Sequence, residues 1–140
     1  MNMNKYKAAC AIIVNDKNEI LLTKRARNPF QGYWALPGGI GESMKGIPPE
    51  IGVIEEVRCD LGTNSFKGKY LFSLPIEQDE KIDEVIVFLG KVNKLEINPQ
   101  PQYSLGFKWV DKNNSQEFEN LAFEHSLIIK EYLRRKTNKD

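Results

Sequence analysis

A short apolar stretch over residues 33–36 stops at Pro37-Gly38-Gly39, and a polar, glycine-containing loop then runs to Gly46. A helical pattern follows over residues 48–61. A strand, a glycine turn and a helix in that order point to a sheet with a helix packed on it. Pro48 suits a first helical turn, where its missing N–H would be unpaired anyway. Ile54, Val57 and Leu61 recur at helical spacing as an apolar stripe, and Gly62 is a natural C-terminal stop. Gly52 inside the helix costs about 1 kcal/mol against alanine, which points to close packing or a marginal first turn.

The remainder is strand-rich. Residues 6–14 are small and β-branched and read as a strand, Asn15-Asp16-Lys17-Asn18 supplies a turn, and residues 19–24 read as a second strand, the two forming a hairpin. Residues 25–32 form a loop. Strands are predicted over 66–74 and 84–92, and Val85-Ile86-Val87-Phe88-Leu89 is so continuously apolar that its strand should be central. A shorter strand over 106–110 carries Trp109. Residues 121–135 close the chain as a helix, with Arg134, Arg135 and Lys136 at the end where cations suit the dipole. The pattern predicts an α/β domain in which a mixed sheet is covered by a helix on each face.

At 140 residues the chain matches one domain, residues 1–140. Apolar residues at 41% and charged residues at 28% are globular values, which excludes the disordered and fibrous classes. The longest apolar run, residues 8–14, is far too short to span a bilayer. Twenty basic against nineteen acidic side chains leave a formal charge of +1, so bulk nucleic-acid binding is not expected. Lys5 and Lys7 ahead of that run loosely mimic a secretory signal, but Asn15-Asp16-Lys17-Asn18-Glu19 stands where a cleavage site should be. Cys10 and Cys59 are the only cysteines and read as reduced thiols of a cytoplasmic protein.

Three glycine-rich readings compete after residue 38. Gly39-Ile40-Gly41-Glu42-Ser43-Met44 breaks the dinucleotide fingerprint at its third glycine. Gly41 to Gly46 has P-loop spacing, but Ile47 stands where the lysine must be. The third reading is the glycine turn followed by an acidic helix. Glu56 and Asp60 lie one helical turn apart on one face, about 100° from the apolar stripe. Two close carboxylates repel unless a cation sits between them, and oxygen ligands select Mg²⁺ or Mn²⁺. On spacing alone a solvated helix face made of Glu55, Glu56, Arg58 and Asp60 is the better reading.

The flanking residues change that balance. Trp34-Ala35-Leu36-Pro37-Gly38-Gly39, with a helix ending Glu56-Val57-Arg58-Cys59-Asp60-Leu61-Gly62, resembles the Nudix hydrolase family. The approach segment from Lys24 to Trp34, Tyr70-Leu71-Phe72-Ser73-Leu74-Pro75 and Leu121-Ala122-Phe123-Glu124-His125 resemble its ADP-ribose pyrophosphatase branch, so the likeness covers about residues 6–135. It implies a Nudix-like α/β/α sandwich and a metal-dependent hydrolase that cleaves the pyrophosphate of a nucleoside diphosphate derivative. The substrate would be ADP-ribose-like, a nucleotide sugar or a nucleoside triphosphate. Dimerisation is common in that branch, and no segment here decides it.

The motif is degenerate. With Gly62 on the family's closing glycine, Glu55 takes the place of an arginine, Glu56 matches the glutamate beside it, and Val57 fits the aliphatic position. Cys59 and Asp60 replace paired glutamates, and Ile47 falls at the first glutamate; Glu42 is a nearby stand-in that the spacing does not establish. The resemblance implies Glu56, Asp60 and Gly38 at the metal, Glu56, Asp60 and Glu84 in catalysis, and Arg25, Arg27, Phe30, Gly38 and Gly39 at the substrate. Asp60 is one methylene shorter than a glutamate and Cys59 is a poor match for Mg²⁺, so fewer ions, held more weakly, are expected. Arg25 and Arg27 share a face if their strand continues through them. Phe30, Tyr33 and Trp34 are candidates to stack on a base, Trp34 being the most core-like. His125, the only histidine, reads as a packed or surface helix residue. The rival function is a nucleotide-binding or regulatory module that keeps the fold and has lost the chemistry.

Overall fold

Alternation along β1 (Tyr6–Ile13) sets the layers: Cys10 and Ile12 point to one face, and Ala9, Ala11 and Ile13 to the other. In this computed structural model, which describes residues 5–77 and 79–139, each face is covered by a helix. Val53, Val57 and Leu61 of α2 (Pro49–Leu61) pack on the Ala9–Ile13 face together with Leu21, Phe66 and Phe88. Ile128, Ile129 and Tyr132 of α3 (His125–Lys139) pack on the Cys10–Ile12 face with Ile20, Leu22, Val85 and Val87. The α/β/α sandwich is therefore as expected.

The middle layer is two sheets. A mixed four-stranded sheet has the order β4 (Gly38–Gly39), β1, β6 (Ile82–Lys91), β5 (Lys67–Pro75), with β1 and β6 parallel. An antiparallel three-stranded sheet has the order β3 (Trp34–Ala35), β2 (Glu19–Arg25), β7 (Ser104–Asp111). The apolar strand β6 is central, flanked by β1 and β5.

Four expectations are corrected. The first two strands do not form a hairpin: only Val14 and Ile20 bridge, and the chain then diverges so that β1 and β2 enter different sheets. Ile54 is exposed and Val53 holds its place in the stripe, because spacing of four residues aligns Val53, Val57 and Leu61 on the sheet. The loop after Gly39 contains a short helix, α1 (Gly41–Met44). The closing helix begins at His125, since Phe123 takes a left-handed φ of 56° and interrupts any helix from Leu121. Gly62 caps α2 with φ 74°. Gly52 packs against α1, where an added Cβ would lie 2.9 Å from the Glu42 Cβ.

Candidate active site

The chain crosses from the three-stranded to the four-stranded sheet through Leu36 and Pro37, between β3 and β4. The Gly38 amide then meets the last turn of α2: its N–H donates to Asp60 Oδ2 at 3.0 Å. A side chain at Gly38 is impossible, because a Cβ would lie 2.3 Å from the Ala9 carbonyl on β1. One at Gly39 would lie 2.8 Å from Glu56 Oε1. The two glycines thus seat the turn on β1 and leave space for the Glu56 carboxylate.

Glu56 and Asp60 are partly buried, and among the described residues no ion pair reaches either one. Glu56 Oε2 accepts the Glu42 N–H at 3.2 Å from the start of α1. Loss of water raises the Glu56 carboxyl, and the neighbouring Glu42 and Glu55 charges add to this. Desolvation pushes Asp60 up to about 7, against the Gly38 hydrogen bond and the positive charges of Arg25 and Arg27. Glu42, a residue on which spacing is silent, stands beside Glu56 with its side chain only 18% exposed and Lys45 at 3.2 Å.

Glu55 turns the other way. It pairs with Arg58 on the exposed face, and that hydrogen bond lowers its carboxyl. The Glu55 carboxylate is thus paired on the outer face, although its charge still adds to the rise at Glu56. Cys59 lies beside this pair, its thiol raised by desolvation and by Glu55.

The strand does not continue through Arg27, so Arg25 and Arg27 do not share a strand face. Arg25 ends β2, donates from Nε to the Pro29 carbonyl at 2.7 Å and lies 4.7 Å from the Phe123 ring. Arg27 lies over Tyr103 at 5.0 Å. Phe30 touches Tyr33 and Phe123 edge-on, with ring centroids 5.4 and 4.9 Å apart. Phe123 and Tyr103 come from distant segments, and no local pattern could have assigned them. Trp34 is half-buried against the α3-side core, with Lys108 Nζ 4.2 Å from its ring.

Glu84 is paired outside this group. It lies near the start of β6 and pairs with Lys7 at 3.1 Å, next to Asp83, which Lys7 also reaches at 3.2 Å. No hydrogen bond or ion pair among the described residues joins Glu84 to Glu56 or Asp60. Cys10 is buried, and its thiol is pushed up to about 12 by desolvation.

The NUDIX domain family model matches residues 4–132. The chain belongs to the Nudix family. It is 34% identical over 130 residues to the ADP-ribose pyrophosphatase of Methanocaldococcus jannaschii, covering 87% of this chain and 70% of that protein. The NUDIX domain of Shewanella oneidensis NrtR, solved with ADP ribose, superposes with a TM-score of 0.77 at 19% identity, covering 96% of this chain and 90% of that one. A MutT protein from Methanosarcina mazei gives 0.74 at 23% identity, covering 96% and 99%.

This Nudix chain is a pyrophosphohydrolase. The donor chemistry at Glu56 and Asp60 fits the divalent cation that Nudix enzymes generally use: hard carboxylate oxygens, little water, and no cation already paired with them. Among the described residues no three His, Cys, Asp or Glu side chains converge on one point. A hard ion held by two carboxylates keeps room for water and phosphate oxygens. Among the described residues no helix is long and apolar enough to cross a membrane.

Proposed function

We propose that this Nudix enzyme hydrolyses the pyrophosphate bond of ADP-ribose or a closely related nucleoside diphosphate derivative, with Mg²⁺ or Mn²⁺ held by Glu56 and Asp60. The observation that carries this reading is the pair of partly buried, unpaired carboxylates on α2, one of them bonded to the glycine turn. The identity with an ADP-ribose pyrophosphatase supports the substrate class.

Glu56 and Asp60 would hold the divalent cation, which when bound would supply charge neutralisation for the diphosphate and a lowered pKa for the attacking water. Glu56 is oriented by the Glu42 N–H, and Asp60 by the Gly38 N–H. Gly38 and Gly39 form the seat of the pyrophosphate, Gly38 also contributing at the metal. Arg25 and Arg27, the cations whose charge reaches Asp60, pair with the phosphates. The exposed edge of the Phe30, Tyr33 and Phe123 cluster takes the base. Water oxygen bonds to one phosphorus, the bridging P–O bond breaks, and two phosphate monoesters leave. Glu84 would be the acceptor of the water proton, and its ion pair with Lys7 would have to open for it to serve. Positioning and charge stabilisation supply most of the catalysis. Cys10 and Cys59 are both free, which supports a reducing compartment, the cytoplasm.

The test is a turnover screen of ADP-ribose, nucleoside triphosphates, nucleotide sugars and dinucleotides with Mg²⁺ and separately Mn²⁺, read by chromatography. Metal-dependent cleavage of ADP-ribose that disappears in Asp60→Asn is expected. No turnover of any compound, with a nucleotide-dependent rise in Tm, would replace this reading by a ligand-binding module.

A further inference from the structure

The crossing between the two sheets is held at few atoms. Leu36 belongs to neither β3 nor β4, so its N–H has no strand partner, and Pro37 has no N–H to give. The Pro37 carbonyl accepts the Ala11 N–H at 2.9 Å, which ties the crossing to β1. The Leu36 N–H, on a residue only 2% exposed, donates to Nδ1 of His125 at 2.9 Å. A neutral imidazole that accepts at Nδ1 carries its proton on Nε2.

His125 does not act from a helix face. It is the first residue of α3, and the segment before it is clamped to the same stretch of chain: the Ala122 N–H donates to the Trp34 carbonyl at 2.9 Å. Two hydrogen bonds therefore bracket residues 34–36. Phe123 lies between the two clamping residues in a left-handed conformation that phenylalanine rarely adopts. That conformation sends its ring onto Phe30 and Arg25 while its neighbours hold Trp34 and Leu36. Bulky residues in such backbone regions concentrate where function requires them.

We propose that His125 is a positioning residue for hydrolysis: by accepting the Leu36 N–H it fixes the glycine turn whose next free amide, Gly38, orients Asp60. The requirement at position 125 is an acceptor at the Nδ1 place, not an aromatic ring. Asparagine offers its Oδ1 at that place and leucine offers only volume. This rests on the reading that Asp60 serves the pyrophosphate site.

The test compares His125→Leu with His125→Asn, well below the Tm of either. In the ¹⁵N-labelled, metal-free protein, H125L is expected to shift the Gly38 amide resonance, and H125N to return it toward the wild-type position. In turnover, H125L should lower kcat on the order of tenfold or more, with KM nearly unchanged, and H125N should restore most of it. A lowered Tm in H125L with wild-type kcat and an unmoved Gly38 amide overturns the proposal, and so does H125N behaving as H125L. If H125L does not fold, the imidazole ¹⁵N shifts of the wild-type protein decide: protonated Nε2 and bare Nδ1 are expected, and the opposite tautomer overturns it. Full activity in Asp60→Asn would overturn the reading of the site instead, while leaving the Gly38 resonance a valid measure of the clamp.

Discussion

Glu55 and Glu56 are neighbours on α2, yet their carboxyls shift in opposite directions. Glu55 faces water, pairs with Arg58 one turn on, and is lowered. Glu56 faces the glycine turn, has only backbone donors, and is raised. A rotation of about 100° around one helix separates a solvated ion pair from a desolvated carboxylate. Charge in a sequence thus says little about electrostatic work until the helix face is known. Asp60 lies with Glu56, one turn further along.

Neutralising each face of α2 separates their roles. Glu56→Gln is expected to lower metal-dependent turnover by on the order of a hundredfold or more, with the far-UV circular dichroism unchanged. Retention of full activity would move the metal site elsewhere. Glu84→Gln should lower kcat by roughly ten- to a hundredfold if that carboxylate takes the proton, read in steady-state turnover at saturating substrate.

Asp60 couples the buried face of α2 to stability. Its folded carboxyl lies at about 7 against an ordinary 3.8, so the folded, metal-free protein takes up a proton first. Stability in the presence of EDTA should therefore rise as pH falls from about 7 toward 3.8. His125 works in the opposite sense: burial lowers it from 6.5 to about 4, so stability falls as pH drops through that window. Asp60→Asn should remove the first effect and expose the second. Its Tm in EDTA should exceed that of the wild type at pH 8 and decline below pH 6.5. The smallest effect belongs to the exposed side of α2. Glu55→Gln should change stability by under about 1 kcal/mol in denaturant melts and leave turnover unaltered.

Helix α2, its glycine stop, the central apolar strand and the sandwich were legible because hydrophobic periodicity and turn chemistry are local properties. The face that carries Glu56 and Asp60 was legible for the same reason. The division of the strands was not. Residues 6–24 look like a hairpin, and only packing against α2 and α3 sends β1 and β2 into different sheets. Glu42 illustrates a second limit. Spacing does not establish it as a stand-in, and the contact of α1 with Gly52 brings Glu42 to Glu56.

By itself, then, the order of residues determined the elements, the apolar faces and the acidic face of α2, since each depends on neighbours within a turn or two. The tertiary structure alone decided which carboxylates lose water, and that Phe123 and His125 close on Arg25 and Leu36. Those outcomes depend on desolvation and on contacts between segments 89 and more residues apart, and neither is written in local spacing.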